Sequence, residues 1–227
     1  MLHTTQGIVL SHIKYRETSI IVKVFTKALG GQTYLVQGVR TAKPKHCIAL
    51  FQPLTLLDLV VYHKKQASLQ RVSEVKCHTP IHGILGNLPK AAIAVFLAEL
   101  LTKVVREEES NEALFDFLWQ SVLDFNERAA HYTLFHLSFM LQLCPYLGFG
   151  VKHGQEIYTQ LRQAGHHWAM DAQEVRWLDA LLAGDVASLD IDKATQRRLL
   201  AGVLRFYQLH LDSLATLKSL EVLQTLG

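Results

Sequence analysis

Acidic residues are almost missing from the first third of this sequence. Residues 1–80 hold only Glu17, Asp58 and Glu74 against 11 Lys and Arg, a balance of +8. Residues 81–227 reverse it with 17 acids against 12 bases, so the net charge of +3 conceals two parts of opposite sign. That asymmetry points to a front part that grips polyanions and a body with other partners. Cysteine is scarce as well. Cys47, Cys77 and Cys144 are odd in number and far apart, which argues against a disulfide framework and fits a reducing cytoplasm. Long apolar runs are lacking. The two longest stretches, 91–101 and 134–144, are interrupted by Glu99 and by His136 and Gln142, far short of the about 20 residues that cross a bilayer. Met1–Thr5 lacks the basic-then-apolar order of a secretory signal. There is no low-complexity tract and no fixed-period repeat, and 227 residues at 49% hydrophobic can bury a sizeable core in one large domain or two small ones.

Motifs that carry covalent chemistry are equally thin. There is no Gly-x-Ser-x-Gly elbow and no glycine-rich phosphate loop, and Gly148-Phe149-Gly150 is not a dinucleotide fingerprint. Cys144, beside Pro145 at the end of an apolar helix, reads as a buried and inert thiol. The 12 histidines invite a metal site, with His153, Glu156 and Asp171 near the adjacent His166 and His167. Adjacent side chains diverge, and no His-Glu-x-x-His spacing occurs, so these histidines read as polar surface. Glu107, Glu108 and Glu109 precede a helix start, where the helix dipole favours negative charge. No catalytic residue, metal or cofactor is expected.

What the chain does have is periodicity. The first 80 residues read as five strands: 6–13, 19–25, 32–39, 54–62 and 67–75. Ile20, Val22 and Val24 alternate with Ile21, Lys23 and Phe25, and Gly30-Gly31 supplies a two-residue hairpin signal. Five short strands with a longer crossing after the third outline an OB-fold, a small Greek-key barrel. From about residue 80 the period becomes 3.6. Pro89 fits a first helical turn, and Ser110-Asn111 caps a second helix to about Arg128. A third, from about 132 to 144, is apolar nearly all round and belongs at the centre. Residues 149–168 read as irregular. Asp171 and Glu174 form a capping box for a short helix ending near Gly184, and a last helix runs from about 192 to 217. The fold class is therefore mixed α+β: a five-stranded OB-fold barrel at 1–80, then an all-α domain at 81–227 with an irregular linker at about 149–170.

The basic loops are the leading functional candidates. Lys14 and Arg16 lie in the first turn, Arg40, Lys43 and Lys45 in the crossing, and Lys64 and Lys65 at the second hairpin tip. OB-folds add nucleic-acid contacts at such loops, and cations there bind phosphates without reading sequence. Tyr34 and Tyr62 are the stacking candidates, whereas Phe25 and Phe51 suit the core. On the last helix Arg197, Arg198 and Arg205 add positive charge to an acidic half.

The order Gly7-Ile-Val-Leu10, Tyr15-Arg-Glu-Thr-Ser19, Ile21-Val-Lys-Val-Phe-Thr26, Gly30, Leu35-Val-Gln-Gly-Val-Arg40 and Phe51-Gln-Pro-Leu-Thr-Leu56 resembles the bacterial recombination mediator family RecO. Leu217-Lys-Ser219 is similar to that family's C-terminal ending. The resemblance implies an OB-fold on a helical domain and an activity without covalent chemistry. It implies binding of single- and double-stranded DNA, annealing of complementary strands, and help for RecA in displacing single-strand-binding protein (SSB) alongside RecR. DNA repair at the bacterial nucleoid would be the setting. Arg197, Arg198 or Arg205 would then meet DNA or the acidic tail of SSB. One departure stands out: many members carry a zinc module of paired cysteines after a Leu-Gly element. Leu147-Gly148 is present here, but no cysteine follows Cys144, so a metal-free linker is expected. An OB-fold adaptor for structured RNA, or a metal-dependent hydrolase using His166 and His167, are the rival readings.

Overall fold

The structure, a computed structural model, describes the chain except residues 42–45, 65–66, 106–109, 167, 169–170, 213, 215 and 227. Five strands come first: β1 (Leu2–Tyr15), β2 (Ser19–Thr26), β3 (Gly30–Val36), β4 (Leu56–Tyr62) and β5 (Gln70–Thr79). They close in the order β1-β2-β3-β5-β4, with β3 and β5 joined in parallel through Tyr34–Gln70 and Leu35–Arg71. This is the five-stranded OB-fold barrel. Its interior is filled by the inward residues of each strand, among them Ile20, Val22, Val24, Tyr34, Val36, Leu57, Leu59 and Val61, while Val39 and Phe51 come from the crossing segment.

β1 serves both ends of the barrel because it bends. A bulge between Val9 and Ser11 shifts its register, so its first half pairs with β4 and its second with β2. Gly7 pairs with Thr26 and Leu57 at once, and a Cβ there would lie 2.6 Å from Val24 Cγ1 and 2.8 Å from Leu59 Cδ1. Only glycine fits that close approach. The β2–β3 hairpin differs from the two-residue expectation. Residues 27–29 form the turn, and Gly30 takes φ 67° while still paired with Thr26. The Thr26 hydroxyl donates to Gly30 O at 2.8 Å and accepts from Leu29 N at 3.2 Å, which favours this longer turn.

Among the described residues eight α-helices follow: α1 (His82–Leu85), α2 (Leu88–Val104), α3 (Glu112–Glu127), α4 (Phe135–Leu143), α5 (Gly154–Gln163), α6 (Ala172–Leu182), α7 (Lys193–His210) and α8 (Ser219–Leu226). Their starts follow from caps. Asn87, Asn111, Asp171 and Asp192 each accept a backbone N–H from the first turn of α2, α3, α6 and α7. α4 is buried from Phe135 through Leu141 and is the centre of the bundle. Lys90 is buried with its ammonium aimed at the end of α3, donating to Phe125 O at 2.8 Å and Asn126 O at 3.1 Å.

The segment 149–170 is not wholly irregular, because α5 lies within it. Its sequence hid the helix. Only Ile157 and Leu161 face inward, and the first residue, Gly154, argues against a helix by propensity. That glycine is needed by contact, since a Cβ would fall 2.5 Å from Leu178 Cβ on α6. The last helix also divides. α7 ends at His210, and α8 starts afresh where Glu99 accepts from Lys218 N, Ser219 N and Ser219 Oγ.

Barrel and helices share one core. Ile8, Leu10, Phe25, Leu54 and Leu56 join the helical cluster, and the Phe25 and Phe115 rings meet at 6.0 Å. Lys27 bridges the same seam to Glu112 at 3.1 Å and Asp116 at 3.0 Å. Among the described residues the helices thus cover one end of the barrel's outer face and leave Ile13 and Tyr62 at the other exposed. Among the described residues no helix is long and apolar enough to cross a membrane.

Candidate nucleic-acid interface

The open end of the barrel gathers cations from separate segments. Arg16 sits in the β1–β2 turn at φ 52°, its guanidinium 5.2 Å from the centre of the Tyr15 ring. Arg40, beyond β3, reaches back to that turn. Its backbone N donates to Thr18 O at 3.1 Å, and its Nη1 approaches Arg16 O at 3.4 Å. Two segments distant in sequence therefore meet at Arg16 and Arg40, with exposed Lys14 just before them in sequence. Across the barrel, the β4–β5 loop is built around Gln70, which is buried. Gln70 Oε1 accepts from Lys64 N at 3.0 Å, and its Nε2 donates to Lys64 O at 2.8 Å and Ala67 O at 2.7 Å. This clamp fixes the backbone of Lys64, which lines one concavity with Tyr62 and Arg71. Lys43, Lys45 and Lys65 lie outside the described residues.

Tyr62 and Tyr34 part company. Tyr62 is 53% exposed and pairs across the sheet with Leu2 and Arg71. Tyr34 is fully buried in the barrel, where desolvation pushes its hydroxyl well above the usual phenol range. It cannot meet a base, because its inward register makes it core. Arg71 was not among the sequence candidates. It joins the site through the parallel β3–β5 pair, which local pattern does not announce.

The arginines of α7 also separate. Arg198 donates through Nε and Nη2 to Glu174 Oε1, at 2.7 and 2.5 Å, and Glu174 is buried. That pairing makes Arg198 a strut between α6 and α7, so it drops out of the candidate ligand contacts. Arg197 Nη2 donates to Gln224 O at 2.8 Å at the mouth of a small pocket. The pocket holds about 40 Å³; Ile93, Leu200 and Leu223 give it apolar walls, His136 lines it, and Lys193 stands one helical turn before Arg197. Arg205 is exposed further along α7. Lys193 was missed by sequence reading, though its spacing to Arg197 was available there.

Burial drives the His136 imidazole down to about 4, so it is neutral in the folded chain. Unfolding restores an ordinary value near 6.5, and the unfolded chain then binds the extra proton. This group's stabilising contribution is complete above pH 6.5 and is lost as pH falls toward 4. Urea titrations across that window should show a steeper acid loss for the wild type than for His136→Gln; identical pH profiles would contradict the assignment.

Among the described residues no cluster of three or more His, Cys, Asp and Glu side chains is placed to hold a metal. Glu156 accepts from Lys152 N and His153 N, and Asp171 caps α6, so both carboxylates have structural duties. His167 and the run Glu107–Glu109 lie outside the described residues. Cys47 and Cys77 are exposed free thiols; Cys144 is buried and pushed up to about 12 by desolvation, the inert state its sequence context suggests.

Comparison with known proteins agrees with this architecture. Residues 1–81 match the family model described as Recombination protein O N terminal, and residues 85–221 match Recombination protein O C terminal. The DNA repair protein RecO of Flavobacterium psychrophilum is 35% identical, with 97% of each chain covered. That of Christiangramia forsetii is 33% identical over 98% of each chain, and that of Bacteroides fragilis 32% over 100% of this chain and 99% of its own. Two family models in tandem and full-length identity above 30% show that this chain belongs to the RecO family.

Proposed function

We propose that the chain is a DNA repair and recombination mediator, working by binding alone and catalysing no covalent step. In this reading the barrel at 1–80 holds single- and double-stranded DNA and anneals complementary strands. The helical part at 81–227 meets protein partners, RecR and the SSB tail, so that RecA loads onto SSB-coated DNA at the nucleoid in the cytoplasm. The observation that supports the reading is two groups of cations on the barrel, Lys14, Arg16 and Arg40 about the β1–β2 turn and Lys64 and Arg71 about the β4–β5 loop. Cations grouped on one surface release condensed counterions from a phosphate backbone and bind any sequence. Fluorescence-detected annealing of complementary strands, with and without SSB, tests it. Acceleration in both conditions supports a mediator. Acceleration only on bare strands leaves a passive binder, and a preference for RNA over matched DNA redirects the reading to an RNA adaptor.

The pocket beside Arg197 suits an acidic tail that ends in an apolar residue, with the walls taking the side chain and Lys193 and Arg197 the carboxylates. Arg197→Ala should weaken binding of such a tail peptide about tenfold, a difference near 1.4 kcal/mol. Calorimetry with the synthetic peptide measures it. An unchanged affinity, or equal binding by residues 1–80 alone, removes the pocket from consideration.

A further inference from the structure

We propose that α8 is a built-in competitor for the pocket beside Arg197, and that an acidic tail binds there by displacing it. The inference rests on the reading of that pocket given above and adds its regulation. With α8 in place the pocket holds about 40 Å³. A cavity that takes up a benzene ring is about 150 Å³, so a large apolar side chain does not fit beside α8. What narrows the space is α8 itself. Its Leu223, 4% exposed, shares the lining with Ile93 of α2 and Leu200 of α7. One residue later, Gln224 O accepts from Arg197 Nη2 at 2.8 Å. An apolar side chain next to an oxygen on Arg197 is the chemistry that an acidic, apolar-ended tail would bring. α8 presents it from within the chain.

The hold of α8 is local and small. Its eight residues are too few for a helix standing alone in water, where about 12–15 are needed, so it is helical only while docked. Ser219 and Leu223 are its buried residues among those described. Its start is latched by Glu99 on α2, which accepts from Lys218 N at 3.0 Å, from Ser219 N at 2.8 Å and from Ser219 Oγ. Just upstream Leu214 is buried, and its carbonyl accepts from Gln208 Nε2 at 3.2 Å. The chain is thus anchored before the latch, and α8 can open as a unit while α7 stays folded. The exchange also favours the tail. A carboxylate answers the guanidinium with a full charge and two oxygens, where Gln224 offers one neutral carbonyl. Lys193, one turn before Arg197, stands ready for a second carboxylate.

Hydrogen exchange and fluorescence anisotropy on the full chain test this, with a synthetic peptide of aspartates ending in phenylalanine. Bound peptide should speed exchange of the α8 amides while slowing that of α2 and α7. Glu99→Ala, which cuts the latch outside the pocket, should tighten peptide binding about fivefold, because less of the chain is held closed. Leu223→Ala, which clears the space directly, should tighten it as well. Slowed exchange of α8 in the complex overturns the proposal, since α8 would then be a wall of the bound site. Weaker or unchanged binding by either variant does so too, and in both cases the pocket reading stands. A wild type and two variants that all fail to bind the peptide remove the pocket reading, and the competitor with it.

Discussion

Arg198→Ala is expected to lower the stability of this chain by about 3 kcal/mol, which for its size is a fall in Tm of roughly 6–12 °C. The reason is what the substitution leaves behind. Glu174 is 1% exposed, and its Oε1 takes both the Nε and Nη2 donors of Arg198. Its other oxygen accepts from Asp171 N at the start of α6. Without the arginine a buried carboxylate has no cation, and it must stay charged in an apolar setting or take up a proton. Arg198 itself is about half exposed, so solvent can reach part of the site, and the lower end of the usual range for breaking a buried pair applies. Replacing both partners with methionine removes the charge that needs compensation, and should recover much of the loss. Urea denaturation of the two single variants and the double variant gives the coupling directly. A loss below 1 kcal/mol for Arg198→Ala would show that water compensates Glu174 and that the strut is dispensable. The same variant, studied below its melting temperature, should bind an SSB tail peptide as the wild type does, because its guanidinium is already committed.

That pair illustrates what was legible in the sequence and what was not. Caps and alternation are local, and they were read correctly: Asp171 with Glu174 opens α6, Asn111 opens α3, and Ile20, Val22 and Val24 line the barrel. The barrel itself followed from strand count and the long crossing, together with the family resemblance. Contacts between distant segments were not legible. Nothing near Arg198 tells that Glu174, 24 residues earlier, will be its partner. Tyr34, Leu35 and Val36 are three apolar residues in a row, so alternation could not decide which faced inward. The pairing of β3 with β2 and β5 decides it, sending Tyr34 into the core and Leu35 out. α5 was hidden because its first residue is chosen for its contact with Leu178 rather than for helix propensity. Arg71 looked like any charged residue at a strand start until the parallel pair set it beside Leu35.

Changing Lys14, Arg40 and Arg71 together to Gln is expected to have the largest effect on DNA binding. Each phosphate contact contributes about 0.7 to the slope of log affinity against log salt on single strands, so losing three flattens it by roughly 2 units. Between about 1 M salt, where such contacts count for little, and 0.1 M, that difference amounts to a loss of roughly a hundredfold. The loss should be the same for every oligonucleotide sequence, since phosphates carry no base identity. The three residues come from β1, the crossing segment and β5, and Arg40 reaches the turn after Lys14 through its contacts with Arg16 O and Thr18 O. A flattened slope would therefore report one continuous surface rather than one sticky loop. Folding should be little affected, because all three side chains are exposed and none forms an ion pair among the described residues. Loss of cations should change the slope on single strand and duplex alike. Parallel slopes for the triple variant and wild type would mean that these cations are merely solvated loop residues, and the DNA contact would then have to be sought on another face.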